Sequence, residues 1–554
     1  MPLTLPVSDQ NAMKALIKRR HPGYDCNLNH WEFCEDTYEG GREWFEKNIH
    51  KYLKEGLKEY SDRLCRSYRF NHTKEVVQLV TKYIFKQGVI RNMDDTSSAL
   101  KDFWDQATLD GSSVDVFMKR VSDWTSINGR VWVAVDSKAP KGLLTKADEV
   151  SGKARIYTYL VEQEDMLDFS RDEWGKLNWV LYRIPYRDDT DPIESKGEVR
   201  DRYMLWTREE FFVLEERKDP SKSGKKSVVV VVRQGPNELG EVPLFHVDHL
   251  ENDEHYAPPG LIDDIAYLDR AVANYLSNLD AIIQDQTFSQ LVMPAQGILP
   301  GEEGYDKLLE MGTKRIFLYD GESQHGPEYL TPDAAQAAMI VSVIKMIIGE
   351  IYHSIGMAGE RTKQDNAMGI DNSSGVAKAY DFDRMNALLA AKADMLERAE
   401  CRLSYLVKRY AGEMDAAPAG IPSHDESLEN LIKYPDSYDV RGLPDEFDIA
   451  SNLALLDAPD ELRRHQMSVL VEKIFPRLAK DLKEKIEKEL KSWPVSEDDK
   501  VNESLSTVER LGSVVGKIST QVAGAAQTPG SGGGKPTGPK PRGKSKQGQN
   551  SNSK

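Results

Sequence analysis

The sequence predicts an α+β protein, and three observations carry that class. Residues 1–125 place apolar side chains at helical spacing. Residues 128–250 switch to short runs of β-branched and aromatic residues separated by turn chemistry. Two long helical segments follow, at 333–355 and about 375–410. The chain has 554 residues, 40% of them hydrophobic, enough to bury a sizeable core.

Taken in order, segments 42–60 and 73–85 read as helices, and 100–124 holds two more. Segments 131–135, 154–160, 177–184, 203–206, 210–214 and 228–232 read as strands of a mostly antiparallel sheet. Asp188-Asp-Thr-Asp-Pro and residues 218–226 supply turns between them. Residues 260–286 form a helix with a near-strict heptad: Leu261, Ile265, Leu268, Val272, Tyr275, Leu279 and Ile282. Steps alternating between four and three mark a helix packed against neighbours at a shallow angle, or an ordinary amphipathic helix in a single core. Its other face is acidic, with Asp263, Asp264, Asp280 and Asp285, which suits a channel lining or plain solvent.

Residues 287–331 are rich in Gly and Pro and predict short strands and turns, with one short helix at 305–310. The helix at 333–355 is apolar on nearly every side, from Ala337, Met339, Ile340 and Val341 to Ile347, Ile348 and Ile351. It is expected to be buried all round, in a core or against other subunits, with His353 a core or interface histidine. A polar loop with Gly356, Gly359 and Gly369 follows, and Ser373 or Ser374 can cap the next helix. That helix carries Met385, Leu388, Leu389, Leu396, Leu403, Leu406 and Tyr410 on one stripe, and its length is about 50 Å at 1.5 Å per residue. Residues 413–459 are loop-rich, 460–492 are helical and highly charged, and the Gly-, Pro-, Ser- and Lys-rich end predicts disorder.

Composition excludes several classes. A net charge of −17 argues against a protein that wraps nucleic acid, although not against one through which DNA slides. Four cysteines do not make a disulfide framework, and a reducing cytoplasm is expected. No unbroken run of 18 apolar residues occurs, so no membrane span is expected, and the N-terminus lacks a signal-peptide pattern. Gly530-Ser-Gly-Gly-Gly-Lys-Pro-Thr and Gly512-Ser-Val-Val-Gly-Lys-Ile-Ser are each one residue short of a phosphate loop and follow no credible strand. His21, Cys26, His30 and Cys34 fall at intervals that zinc can use, with His30 and Cys34 on one helix face. Paired Cys-x-x-Cys knuckles are absent, and Trp31 and Phe33 suggest packing, so no metal and no cofactor are expected. No nucleophile–base constellation stands out, and no enzyme activity is expected. The basic end, with Lys535, Lys540, Arg542, Lys544, Lys546 and Lys554, either touches DNA or a partner or is simply solvated.

The order of these phrases resembles the tailed-phage portal proteins. The residues that carry the resemblance begin with Tyr38-Glu-Gly-Gly, the phrase starting Tyr68-Arg-Phe-Asn-His-Thr-Lys, and Asn128-Gly-Arg-Val-Trp-Val-Ala-Val-Asp. They continue with Gly240-Glu-Val-Pro-Leu-Phe, the phrase from Gly260-Leu-Ile-Asp-Asp to Val272-Ala, and Asn372-Ser-Ser-Gly-Val-Ala-Lys-Ala-Tyr380. The resemblance implies a helical wing (1–127), a β-rich wing (128–259), a first stem helix (260–286), a clip (287–331) and a second stem helix (332–356). A tunnel loop (357–373), a long kinked helix (374–412), a loop-rich connection (413–459), a helical crown (460–525) and a disordered basic tail (526–554) follow. It further implies a homo-oligomeric ring, of twelve copies, at the capsid vertex of a virion assembled in a host cytoplasm. Major capsid and scaffolding protein, terminase, a head–tail adaptor and double-stranded DNA bound without sequence preference would be its partners. The tunnel-loop residues Arg361, Thr362, Lys363, Gln364, Asp365 and Asn366 would face the duplex, and the heptad residues Leu261 to Ile282 would form the subunit interface. The competing readings are a DNA-packaging motor enzyme, which the failed phosphate loops oppose, and a coiled-coil scaffold, which the strand-rich region opposes.

Overall fold

The computed structural model describes residues 5–53, 55–92, 96–138, 155–187, 197–218, 227–252, 256–287, 290–292, 328–330, 334–356, 375–413, 431–436, 459–474 and 480–491, with single positions at 189, 191, 193, 438, 453 and 493. The chain divides into two units, Met1–Asp439 and Val440–Lys554. In the first, helices α1 (Gln10–Ile17), α2 (Tyr24–Glu39), α3 (Arg42–Asn48), α4 (Leu57–Arg66) and α5 (His72–Ile84) lead to the short strand β1 (Ile90–Arg91), then to α6 (Ser98–Asp105) and α7 (Val114–Asn128). Strands β2 (Arg130–Lys138), β3 (Arg155–Val161), β4 (Met166–Arg171), β5 (Leu177–Arg187), β6 (Val199–Thr207), β7 (Glu210–Lys218), β8 (Ser227–Pro236) and β9 (Leu244–Asp248) follow. Then come α8 (Asp263–Thr287), β10 (Gln290–Val292), β11 (Glu328–Leu330), α9 (Ala334–Ser354), α10 (Gly375–Tyr410) and β12 (Ile432–Lys433). The second unit holds α11 (Asp460–Ile474) and α12 (Lys480–Lys491).

The mixed helix-and-sheet class is as expected. The strand region builds two antiparallel sheets, β3-β2-β9 and the meander β4-β5-β6-β7-β8. Alternation along the strands decides what each face meets. Leu181, Leu205, Phe212 and Leu214 point to Met13 and Ile17 of α1 and to Tyr24 and Trp31 of α2. Their neighbours Val180, Tyr182, Met204, Trp206 and Val213 point the other way, to Trp132, Ala134 and Leu244 of the smaller sheet. β2 is buried on both faces, because Val131, Val133 and Val135 join the helical core while Trp132 and Ala134 join the sheet core. Its unbroken Val131-Trp-Val-Ala-Val run is the sequence of a strand with no wet face.

Two sequence expectations are corrected here. Segment 42–60 is not one helix: the backbone turns extended at Ile49, and α4 starts after Gly56, where Glu59 accepts from the Gly56 N–H at 3.0 Å. Conversely, α1, β4 and β9 were not anticipated. The turn from α7 into β2 requires glycine. Gly129 has φ +73°, and a Cβ there would lie 1.9 Å from the Pro258 carbonyl oxygen.

Helix α10 is the spine of the first unit. Met385, Leu389, Ala393, Leu396, Leu403 and Leu406 are buried with α5, α6, α7 and β2. Two of its buried side chains are charged. Lys392 is 1% exposed; its ammonium donates to the Ser122 carbonyl (2.7 Å) and to Ser126 Oγ, and lies 3.0 Å from His249 Nδ1. Glu400 is 0% exposed and accepts from Arg91 (2.5 and 3.1 Å) and from the Tyr434 hydroxyl (2.7 Å).

Burial pushes the Lys392 ammonium down to about 7, against a smaller opposing pull from Asp123. The unfolded chain keeps that proton up to about 10.5, so between these values the unfolded state binds more protons. Lys392 therefore costs most stability below pH 7 and least above about pH 10. Lys392→Met removes this dependence. Relative to that variant, the native chain should gain stability from pH 7 to 9, with a slope of up to about 1.4 kcal/mol per pH unit. Denaturation midpoints of both proteins across this range check it; a constant difference would show that Lys392 is neutral, or charged, in both states throughout.

Candidate functional site

The two helices flanking the 287–331 segment form the most distinctive surface of the first unit. α8 leaves the body formed by α1–α7 and β2–β9 and α9 returns to it, with β10 and β11 paired antiparallel beyond them (Gln290 opposite Leu330). The start of α8 is fixed on the end of α7: Leu261 N–H donates to the Ser126 carbonyl at 2.9 Å, and Gly260 N–H to Asp263 Oδ1 at 3.0 Å.

The inward face of α8 is anchored by polar groups. Asp269, fully buried, accepts from Thr73 N–H (3.3 Å) and Thr73 Oγ1 (2.9 Å). Arg63 donates to Ser277 Oγ at 2.8 Å while its other nitrogens hold Glu55 at 2.7 and 2.8 Å. That Glu55 pair holds the Arg63 guanidinium above its ordinary range, against its own burial. Asn274 accepts from His50 N–H and donates to the Asn48 carbonyl, both at 3.0 Å. At the same end as Asp269, Tyr352 of α9 donates to Glu75 at 2.7 Å and lies 3.1 Å from His72.

The heptad residues sit mostly inside this one chain. Ile265 and Val272 are buried, and Leu261, Leu268, Leu279 and Ile282 are half-buried. Val272, Leu276 and Leu279 pack on Ile340, Ile344, Ile347 and Ile348 of α9. Tyr275 alone of the seven is exposed. Within the chain, Leu261, Ile265 and Leu268 thus join the main core, and Val272 and Leu279 meet α9. Part of the acidic face is engaged too: Asp263 lies 3.4 Å from His30, and Asp280 pairs with Arg66 at 3.2 Å, while Asp264 is exposed. Asp269, Asn274 and Ser277 were missed because polar residues at inward positions read from sequence as the wet face. The tunnel-loop residues Arg361, Thr362, Lys363, Gln364, Asp365 and Asn366, the 305–310 helix and the basic tail lie outside the described residues.

α9, expected to be buried in a core or against other subunits, meets the first of these only in part. It is not buried all round: Ile344, Ile351 and Tyr352 are buried, but Met339 is 64% and Met346 62% exposed, with Ala335, Ala338, Val341, Ser342 and Lys345 beside them. His353 is exposed too, 3.7 Å from Glu350. The expectation of no spanning-length segment also changes. Gln336, Ser342, Lys345 and Glu350 break any apolar run, yet mean hydropathy reaches 1.5 over Ala335–Ser354, long and apolar enough to cross a membrane by length and composition alone. An exposed apolar helix face held rigid by a polar-anchored partner is a surface that removes itself from water by pairing.

No family model and no curated protein matches this chain. Among solved structures it is similar to a chain of the "Virion of native gene transfer agent (GTA) particle", at 12% identity and TM-score 0.35, covering 75% of this chain and 97% of that one. A chain in the "Neck of empty GTA particle computed with C6 symmetry" has 13% identity and TM-score 0.36 over 70% and 90%. One in the "Neck of native GTA particle computed with C12 symmetry" has 12% and 0.35 over 72% and 89%. Likenesses of that degree assign no function to this chain.

The geometry separates two helix faces by experiment. Val272→Asp buries an unpaired carboxylate against α9 and should cost several kcal/mol, read as a lowered melting temperature of the subunit itself. Met346→Asp lies on the open face and should change subunit stability by no more than about 0.5 kcal/mol. Equal melting shifts for the two variants would mean that the hairpin is not packed in this register.

Proposed function

We propose that this chain is the portal subunit of a tailed-phage-like particle: a ring at one capsid vertex through which double-stranded DNA is packaged and ejected. The observation that carries the reading is the open face of α9. Around it, the chain order of helical wing, sheets, stem helix, paired short strands, second stem helix and long helix parallels the order that the sequence phrases imply. The occupant proposed for the α9 face is the neighbouring copy of the same chain, through a heterologous contact that closes into a ring of twelve. Tyr275 and Ile283, exposed on α8, add apolar surface for such a contact. With −17 charges per chain, long-range repulsion opposes assembly, so apolar contact has to supply the attraction. In this role the chain catalyses nothing. Terminase docks during packaging and a head–tail adaptor replaces it, while capsid and scaffolding proteins hold the wing. An acidic ring does not grip phosphates, and DNA passes with weak, exchangeable contacts from the 357–373 loop.

A bilayer is the competing occupant of the α9 face, favoured by the hydropathy of that helix. Lys345 near its middle opposes this, since a lysine at the centre of a spanning helix costs about 2.5–3.5 kcal/mol.

Two experiments test the proposal. Purified protein imaged in negative stain should show rings with a central hole, and Met339→Asp with Met346→Asp should leave folded monomers of 62.6 kDa. Stable wild-type monomers at micromolar concentration, or flotation with lipid vesicles in place of ring formation, would remove the portal reading. Separately, Arg361→Glu with Lys363→Glu should leave rings intact but impair DNA filling or retention, because like charges then face phosphates within about 8 Å. Undiminished filling and retention would show that this loop does not meet the moving duplex.

A further inference from the structure

We propose that His30, Cys34 and Asp263 form a site for a single divalent metal ion of the zinc type, which would staple helix α2 of the wing to the first turn of the stem helix α8. His30 and Cys34 are one turn apart on α2, and the fold brings Asp263 to them across 229 residues or more of sequence, a juxtaposition no spacing rule contains. Cys34 Sγ lies 3.8 Å from His30 Nε2, His30 Nε2 lies 3.4 Å from Asp263 Oδ1, and the three ligand atoms all lie within 4.8 Å of one another. A tetrahedral zinc with bonds of 2.0–2.3 Å sets its ligands about 3.3–3.8 Å apart, so two edges already match and the third closes by a small side-chain movement.

The surroundings fit a metal better than a plain ion pair. Nδ1 of His30 is 3.2 Å from the Tyr267 hydroxyl, and the rings stack at 5.9 Å. That bond, with Nδ1 as donor, leaves the Nε2 lone pair directed at Cys34 and Asp263, the arrangement that orients a ligating imidazole. Cys34 is fully buried, whereas His30 and Asp263 are about 30% exposed, so an ion can enter from their side and a water can complete the fourth position. Binding through the Cys34 thiolate is balanced by proton release: the S–H bond breaks, an S–metal bond forms, and one proton passes to solvent for each ion bound. Nitrogen, sulfur and oxygen in one set suit zinc over the harder magnesium and calcium, which take oxygen. The inference stands on these distances alone and is independent of the ring reading.

The test uses the full chain, stripped with a chelator and titrated with Co²⁺ and then Zn²⁺. One equivalent of Co²⁺ per chain should give the thiolate-to-cobalt absorption and the intense visible bands of a tetrahedral site, and Zn²⁺ should bleach them. Zn²⁺ should also raise the melting temperature of the wild type. Asp263→Asn keeps an acceptor for the Gly260 N–H and so preserves the helix start; it should weaken metal binding at least tenfold. Cys34→Ala should abolish the thiolate band, while Cys26→Ala should leave it unchanged. The assignment is overturned if the wild type takes up no stoichiometric Co²⁺. It is equally overturned if the thiolate band survives Cys34→Ala, or if Asp263→Asn binds as tightly as the wild type.

Discussion

Two buried charges on one helix constrain most of the first unit. Lys392 and Glu400 are eight residues apart on α10, about 12 Å along its axis. Each has to find its partners on a different part of the chain: Lys392 on the end of α7 and at His249 beside β9, Glu400 at Arg91 of β1 and Tyr434 after β12. A hydrophobic stripe alone tolerates a slide or a rotation of a helix, because leucine accepts leucine in several registers. A buried ammonium and a buried carboxylate do not, since a slip strands both without partners at a cost of several kcal/mol each. The register of α10 is thereby tied to α7, whose last turn also seats the start of α8. The α8–α9 hairpin thus inherits its position from charges on another helix.

Much of this fold was legible in the sequence because burial writes periodicity into strands and helices. The expected strands in 131–232 coincide with six of those observed, since five of them place neighbouring residues in two different cores and β8 turns Val229 and Val231 to one. Helix 73–85 appears within a residue as α5, and 100–124 as the α6–α7 pair, which runs on to Asn128. What periodicity cannot supply is the identity of the partner. The heptad Leu261, Ile265, Leu268, Val272, Tyr275, Leu279 and Ile282 announces a packed helix, and within its own chain it is packed in two places: Leu261, Ile265 and Leu268 in the main core, Val272 and Leu279 against α9. For α9, apolar density predicts burial in a core or against other subunits without telling the two apart, and within this chain Met339 and Met346 stay open. Polar anchors such as Asp269 and Ser277 were invisible because an isolated sequence cannot distinguish a hydrated aspartate from one that is bonded to Thr73 across the fold. The same blindness hid Asp263 as the third member of the set containing His30 and Cys34.

The division of labour between α8 and α9 follows from their chemistry. α8 carries its hydrogen-bonding groups inward, to Asn48, His50, Arg63, Ser67 and Thr73, and is rigid because those groups have nowhere else to go. α9 leans on α8 with isoleucines and is tied by a polar side chain mainly at Tyr352. One helix is thus a fixed strut and the other a plate mounted on it, its outer face uncommitted within the subunit.

β2 adds a consequence for how such a chain can change over generations. Neighbouring residues of this strand answer to different cores, Val133 to the helices and Trp132 to the sheets, so a replacement at either position disturbs a separate set of neighbours. No face of the strand is free to absorb drift. The outer face of α9 is the reverse: within the subunit, Met339 and Met346 answer to almost nothing. Lineages of this fold should therefore conserve β2 and its two sets of neighbours while the outer face of α9 drifts more freely.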